Sequence, residues 1–164
     1  MAAHTETALE DALRFACSVV GISQLKSQQK EAIQAFAQGH DVFVSLPTGF
    51  GKSLCYALLP LVFDHLLHRC AGTSIVLVLS PLTALMLEQR NKFVLKGISA
   101  EFVGELQTDL HCMNAVKEGK VQLVYISPES LLLNPQWREM LLSKPYQENL
   151  VGVAVDEAHC IVQW

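Results

Sequence analysis

Asp41-Val42-Phe43-Val44-Ser45-Leu46-Pro47-Thr48-Gly49-Phe50-Gly51-Lys52-Ser53 sets an apolar, β-branched run against a glycine-bearing turn that closes on Gly-Lys-Ser. The run from Asp41 to Ser45 predicts a buried strand, and the turn after it predicts a phosphate cradle. In such a loop, successive backbone N–H groups and the start of the next helix face phosphate oxygens, while a lysine ammonium reaches the outer phosphates. Lys52 is placed to be that lysine, and the Ser53 hydroxyl to reach Mg²⁺. A strict G-x-x-x-x-G-K-[ST] pattern asks for glycine at position 46, where this chain has leucine; Gly49 and Gly51 are in place. Taken alone, a Gly-Phe-Gly-Lys-Ser turn is common in proteins that bind no phosphate.

A second segment decides the matter. Leu150-Val151-Gly152-Val153-Ala154-Val155 is a second apolar strand pattern, and it empties into Asp156-Glu157-Ala158-His159. Two adjacent carboxylates at a strand end need a reason, and a metal ion with a water supplies one. Asp156 would hold the same Mg²⁺ as Ser53, usually through water, and Glu157 would polarise the attacking water. The two segments together imply nucleoside triphosphate hydrolysis.

Outward from these motifs, strands are predicted at Asp41–Ser45, Ser74–Ser80, Ala100–Val103, Val121–Ile126 and Leu150–Val155. Helices are predicted over Leu9–Val20, stopped by Gly21, and over Ser27–Gly39 with a Ser27 cap and Ile33 and Phe36 on the buried side. Further helices fall at Lys52–His68, Pro81–Leu95, Glu105–Glu118 and Pro128–Leu133. Strand–helix alternation with uniformly apolar strands gives an α/β fold, a parallel sheet with helices on both faces. Ligands of such sheets bind beyond the carboxyl ends of the strands, where both phosphate motifs fall.

Composition narrows the class. The 164 residues are 51% hydrophobic and 17% charged, enough for one globular core and not a disordered tail. A net charge of −4 excludes a basic footprint for nucleic acid, so any such contact must be local or shared with other parts of a larger protein. Cys17, Cys55, Cys70, Cys112 and Cys160 form no C-x-x-C pair and read as reduced core thiols of an intracellular protein. His159 and Cys160 are too few for a metal shell. Met1–Glu6 lacks a basic region followed by an apolar run, so no signal peptide is expected, and the uncharged stretch from Cys70 to Leu87 reads as a buried strand, a proline break and a helix, not as a membrane span.

Four further segments carry a resemblance. Leu25-Lys26-Ser27-Gln28-Gln29-Lys30-Glu31-Ala32-Ile33, Ser80-Pro81-Leu82-Thr83-Ala84-Leu85-Met86, Tyr125-Ile126-Ser127-Pro128-Glu129 and Asp156-Glu157-Ala158-His159-Cys160-Ile161-Val162-Gln163-Trp164 occur in that order. With Gly51-Lys52-Ser53-Leu54-Cys55-Tyr56, the set resembles the RecQ family of superfamily 2 DNA helicases, from about Gly21 onward. The resemblance implies a first RecA-like, P-loop ATP-binding domain over 21–164, incomplete at its C-terminus, after an N-terminal helical segment over 1–20. It implies an ATP- and Mg²⁺-dependent 3′–5′ helicase, a hydrolase and isomerase of DNA repair and recombination, nuclear in a eukaryote. DNA, single-stranded or at duplex junctions, and a second RecA-like domain carrying an arginine finger are the implied partners, with no membrane.

The residue roles implied are these. Lys26, Gln29, Thr48, Gly49, Phe50, Gly51, Lys52 and Ser53 bind ATP, Gln29 by reading adenine; Phe50 stands where a glycine is common, and Lys26 where arginine is frequent. Lys52, Asp156, Glu157 and His159 are catalytic, His159 by coupling the nucleotide site to other motifs. Ser80, Pro81 and Thr83, then Ser127, Pro128 and Glu129, would hold DNA phosphates, and Trp164 would stack on single-stranded bases. Locally, both serine–proline turns read equally well as simple helix caps. Two other functions stay open at this stage: an RNA helicase with a similar box, and a nucleotide-dependent interaction module that unwinds nothing.

Overall fold

The computed structural model describes residues 3–81 and 83–159 of the chain. Four strands, β1 (Ile75–Leu79), β2 (Ala100–Val103), β3 (Leu123–Ile126) and β4 (Leu150–Val155), form one sheet in the order β2-β3-β1-β4. Every pairing is parallel, with Leu77 opposite Val124 on one side and Val153 on the other.

Alternate residues of these strands feed two cores, which is why they are apolar throughout. Val76, Val78, Ala100, Leu123 and Tyr125 face helices α1 (Glu6–Val20), α2 (Ser27–Ala37), α3 (Ser53–Ala57), α4 (Leu59–Leu66) and α5 (Thr83–Leu95). Ile75, Leu77, Val103, Val124 and Ile126 face the other way, against Val116 of α6 (Leu110–Lys117), Trp137 and Met140 of α8 (Pro135–Leu142), and Tyr146 of α9 (Lys144–Asn149). Each fully buried valine or leucine is worth about 1.5–3 kcal/mol relative to exposure. A short helix α7 (Pro128–Leu133) follows β3 directly.

The predicted helices are met with local changes. Lys52–His68 is interrupted at Leu58, because Pro60 has no N–H to donate to the carbonyl four residues earlier. The Glu105–Glu118 helix starts late: Gly104–Gln107 is a turn, and Asp109 caps α6 by accepting from His111 and Cys112 N–H. Lys26, not Ser27, is the capping residue of α2. Helices α8 and α9 were not predicted, although Asn134-Pro135 and Ser143-Lys144-Pro145 are cap-plus-proline starts. Of the four described cysteines only Cys55 is buried; Cys70 is exposed, so the core-thiol expectation fails there.

The largest correction concerns Asp41–Ser45, which is not a strand. It runs as irregular, mostly exposed chain, with Phe43 82% exposed. A strand needs a neighbour to take its backbone hydrogen bonds, and no described residue pairs with this segment. The sheet ends at β4, whose Val153 and Val155 are 51% and 39% exposed.

One buried carboxylate sets where β1 begins. Asp64, in the last turn of α4, is 3% exposed. Its Oδ1 accepts from Ser74 N–H at 2.7 Å, and its Oδ2 from Gly72 and Thr73 N–H at 2.9 and 3.3 Å. Asp64→Ala strands three donors at the mouth of the central strand. Urea unfolding of this variant is expected to show a loss of about 2–4 kcal/mol.

Candidate nucleotide site and nucleic-acid face

The turn from Pro47 to Ser53 is shaped by two glycines in the left-handed region, Gly49 at φ 82° and Gly51 at φ 89°. A side chain at position 51 would also collide with the Gln29 amide, since a Cβ there falls 2.6 Å from Nε2. Phe50 N–H closes the turn on the Pro47 carbonyl at 3.1 Å, and α3 then opens at Ser53. Among the described residues, the N–H groups of Gly51, Lys52 and Ser53 donate to no protein acceptor. Thr48 and Lys52 are exposed.

Lys26 and Gln29, from the start of α2, hold this turn from behind. Gln29 is 3% exposed. Its Oε1 accepts from Lys26 N–H at 3.0 Å, and its Nε2 donates to the carbonyls of Gly51 at 3.0 Å and Phe50 at 3.4 Å. The Lys26 ammonium donates to the same Phe50 carbonyl at 2.9 Å and lies 4.1 Å from the centre of the Phe50 ring.

Asp156 is fixed at the end of β4 by the last rung of the sheet, in which its N–H donates to the Leu79 carbonyl at 2.8 Å. Burial pushes its carboxyl above the ordinary value of 3.8. The Glu157 N–H, donating to Oδ1 at 3.0 Å, pulls it down, the Glu157 carboxylate pushes it up, and the Lys52 ammonium pulls it down. The Lys52 ammonium is the smallest of these influences on Asp156. Glu157 adopts φ 54°, a left-handed conformation that costs a non-glycine residue about 1–2 kcal/mol. His159 Nε2 lies 3.3 Å from its Oε2.

Two contacts near the site escaped sequence reasoning. Tyr56 of α3 and Tyr125 of β3 share a buried hydroxyl contact of 3.3 Å; burial raises both phenols, and the Asp156 charge raises them further. Lys92 of α5 donates to the Ser53 hydroxyl at 3.5 Å. Nothing in their spacing marks them out, because the contacts join distant elements.

The residues assigned to DNA lie at the ends of β1 and β3. Ser80 N–H donates to the Ile126 carbonyl at 3.1 Å, but its side chain is buried, and its hydroxyl has no partner among the described residues. Pro81 leads into α5, which begins at Thr83. Ser127 caps α7: its Oγ accepts from Ser130 N–H at 3.1 Å, Pro128 is buried and Glu129 is exposed. Ser127 and Glu129 border a groove of about 640 Å³ floored in part by Phe102 and Trp137. Trp164 lies outside the described residues.

Four parallel strands covered by helices, a glycine-shaped turn that opens α3 at Gly-Lys-Ser, and an acid pair at the end of β4 are the elements of a RecA-like nucleotide-binding fold. The chain belongs to the DEAD/DEAH box helicase family, whose model matches residues 26–164. Its curated relatives bear out the RecQ resemblance. It is 36% identical over 156 residues to the ATP-dependent DNA helicase RecQ of Haemophilus influenzae, covering 93% of this chain and 23% of that protein. It is 38% identical over 142 residues to the ATP-dependent helicase SGS1 of Saccharomyces cerevisiae, covering 85% of this chain and 10% of that one. The chain thus spans about a quarter or less of the length of these relatives. The fold is similar to that in the crystal structure of the DUF1998 helicase MrfA bound to DNA and AMPPNP, with a TM-score of 0.69 and 23% identity over 96% of this chain and 22% of the other. No described helix is long and apolar enough to cross a membrane.

The raised Asp156 carboxyl has a consequence of definite sign. The native state favours its protonated form, so ionised Asp156 subtracts stability as pH rises above 3.8. Asp156→Asn is expected to melt at or above the unsubstituted chain at pH 7 by circular dichroism, while Mg²⁺-dependent ATP affinity falls roughly ten- to hundred-fold. A lowered melting temperature would place the carboxylate in a stabilising role instead.

Proposed function

We propose that the chain is the nucleotide-binding motor domain of an ATP-dependent DNA helicase of the RecQ type, residues 21–164 forming the first RecA-like domain behind the helical segment 1–20. The observation that carries the reading is the turn from Pro47 to Ser53, bent by two left-handed glycines, in which the N–H groups of Gly51, Lys52 and Ser53 have no protein acceptor among the described residues, in a chain whose β4 runs into the Asp156–Glu157 acid pair. The loop and Lys52 bind the ATP phosphates. Ser53 and Asp156 offer hard oxygen donors of the kind Mg²⁺ takes, and a half-buried carboxylate pushed toward its neutral form is one that a cation would return to its charged form. When bound, Mg²⁺ would neutralise charge on the outer phosphates. Glu157 orients the water, and His159, beside its carboxylate, passes the state of the site to other motifs.

Hydrolysis calls for one more charge. Arg14, Arg69, Arg90 and Arg138 are engaged with Asp11, Ser74, Glu101 and the Leu132 carbonyl. An arginine from a second RecA-like domain fills that role in the resemblance, and such a group is worth about a thousand-fold or more in rate. The chain alone therefore binds ATP better than it hydrolyses it. The DNA contacts fall to Pro81 and Thr83, the backbone at the buried Ser80, then Ser127, Pro128 and Glu129, with Trp164, suited to single strands and duplex junctions, with 3′–5′ travel and a nuclear site of action in a eukaryote. The relatives are DNA helicases, which favours DNA over RNA.

Lys52→Ala is expected to weaken ATP binding by about 3 kcal/mol in titration calorimetry; unchanged affinity removes the phosphate-cradle assignment. In a complete motor containing the second domain, Glu157→Gln should retain ATP without turnover. Stimulation of that motor's ATPase by RNA but not DNA would overturn the substrate assignment.

A further inference from the structure

We infer that Lys26 is a positioning residue for the phosphate loop, acting on backbone orientation and not on the nucleobase; the inference rests on the nucleotide site proposed above. In a trans peptide the C=O and the following N–H point in opposite directions. The Phe50 carbonyl shares its peptide with the Gly51 N–H, and the Gly51 carbonyl with the Lys52 N–H. Lys26 Nζ holds the first carbonyl at 2.9 Å and Gln29 Nε2 holds the second at 3.0 Å, both from the α2 side. The two N–H groups must then face away from α2, and they are among those with no protein acceptor in the described structure. A carbonyl released from this hold could rotate its negative end toward the phosphates.

The hold on Phe50 depends on the pairing of an ammonium with an aromatic ring. Lys26 Nζ lies 4.1 Å from the Phe50 ring centre, so the ring fixes the cation over its own residue's carbonyl. A glycine at position 50 would offer the carbonyl without the platform. An ammonium has no planar face with which to stack on a base, whereas it serves a carbonyl well as a charged donor.

The test compares Mg²⁺-ATP with Mg²⁺-tripolyphosphate, which has no base, by titration calorimetry on the 164-residue chain. Lys26→Met is expected to weaken both ligands by the same factor, about tenfold, with an unchanged melting temperature. Lys26→Arg, which keeps a charged donor able to lie on the ring, restores both. In the ligand-free chain, the Gly51 and Lys52 amide resonances broaden in Lys26→Met and sharpen again in Lys26→Arg. Loss of ATP affinity with tripolyphosphate unaffected would overturn the inference in favour of a base contact. Tighter binding would overturn it in favour of an inhibitory latch, and unchanged loop amides in favour of direct phosphate contact. If the unsubstituted chain binds neither ligand, the nucleotide-site reading itself fails, and the inference with it.

Discussion

The parallel pairing of β4 with β1 is the constraint on which the site depends. Leu77, Val78 and Leu79 stand opposite Val153, Ala154 and Val155, and the next rung joins Asp156 N–H to the Leu79 carbonyl. Slip that register by one residue and every β4 side chain changes face. Gly152 could not then meet Phe36, whose ring already leaves no room for a Cβ at that position. The acid pair is thus positioned by main-chain hydrogen bonds of the strand before it and by one close approach between a helix and that strand.

The phosphate loop is governed by a related economy of backbone groups. The carbonyls of Phe50, Gly51 and Lys52 are satisfied from α2 and from the first turns of α3, while the N–H groups of Gly51, Lys52 and Ser53 remain unsatisfied within the described protein. That asymmetry is what an anion requires and what a folded loop otherwise avoids. Gln29 already uses both ends of its amide inside the protein. In the proposed site, an adenine read by Gln29 would have to share or exchange those bonds, which would tie recognition of the base to the shape of the loop.

Much of this was legible in the sequence for a physical reason: apolar strands buried on both faces, and helices opened by caps and proline, write themselves locally. Ile75–Leu79, Ala100–Val103 and Leu150–Val155 follow directly from such runs, as does the placing of Asp156 at a strand end. Asp41–Ser45 has an equally good run, but strand formation is a property of pairs, and its missing neighbour is invisible in its own residues. The Tyr56–Tyr125 contact and the approach of Lys92 to Ser53 join elements far apart in sequence, so no periodicity announces them. Ser80 looks solvent-facing in a serine–proline turn, yet the structure buries it.

The strand order also imposes a timetable on synthesis. β1 is central, with β3 on one side and β4 on the other, and both partners follow it in the chain. A ribosome adding about 5–20 residues per second delivers Leu150 about 4–15 s after Ile75. For that interval one side of the most apolar strand, Ile75-Val76-Leu77-Val78-Leu79, has no partner, and the residues of the acid pair do not yet exist. Nascent chains halted before β4 would carry the phosphate loop in full and still present an open central strand to chaperones. The nucleotide site is therefore completed at the same step that closes this side of β1.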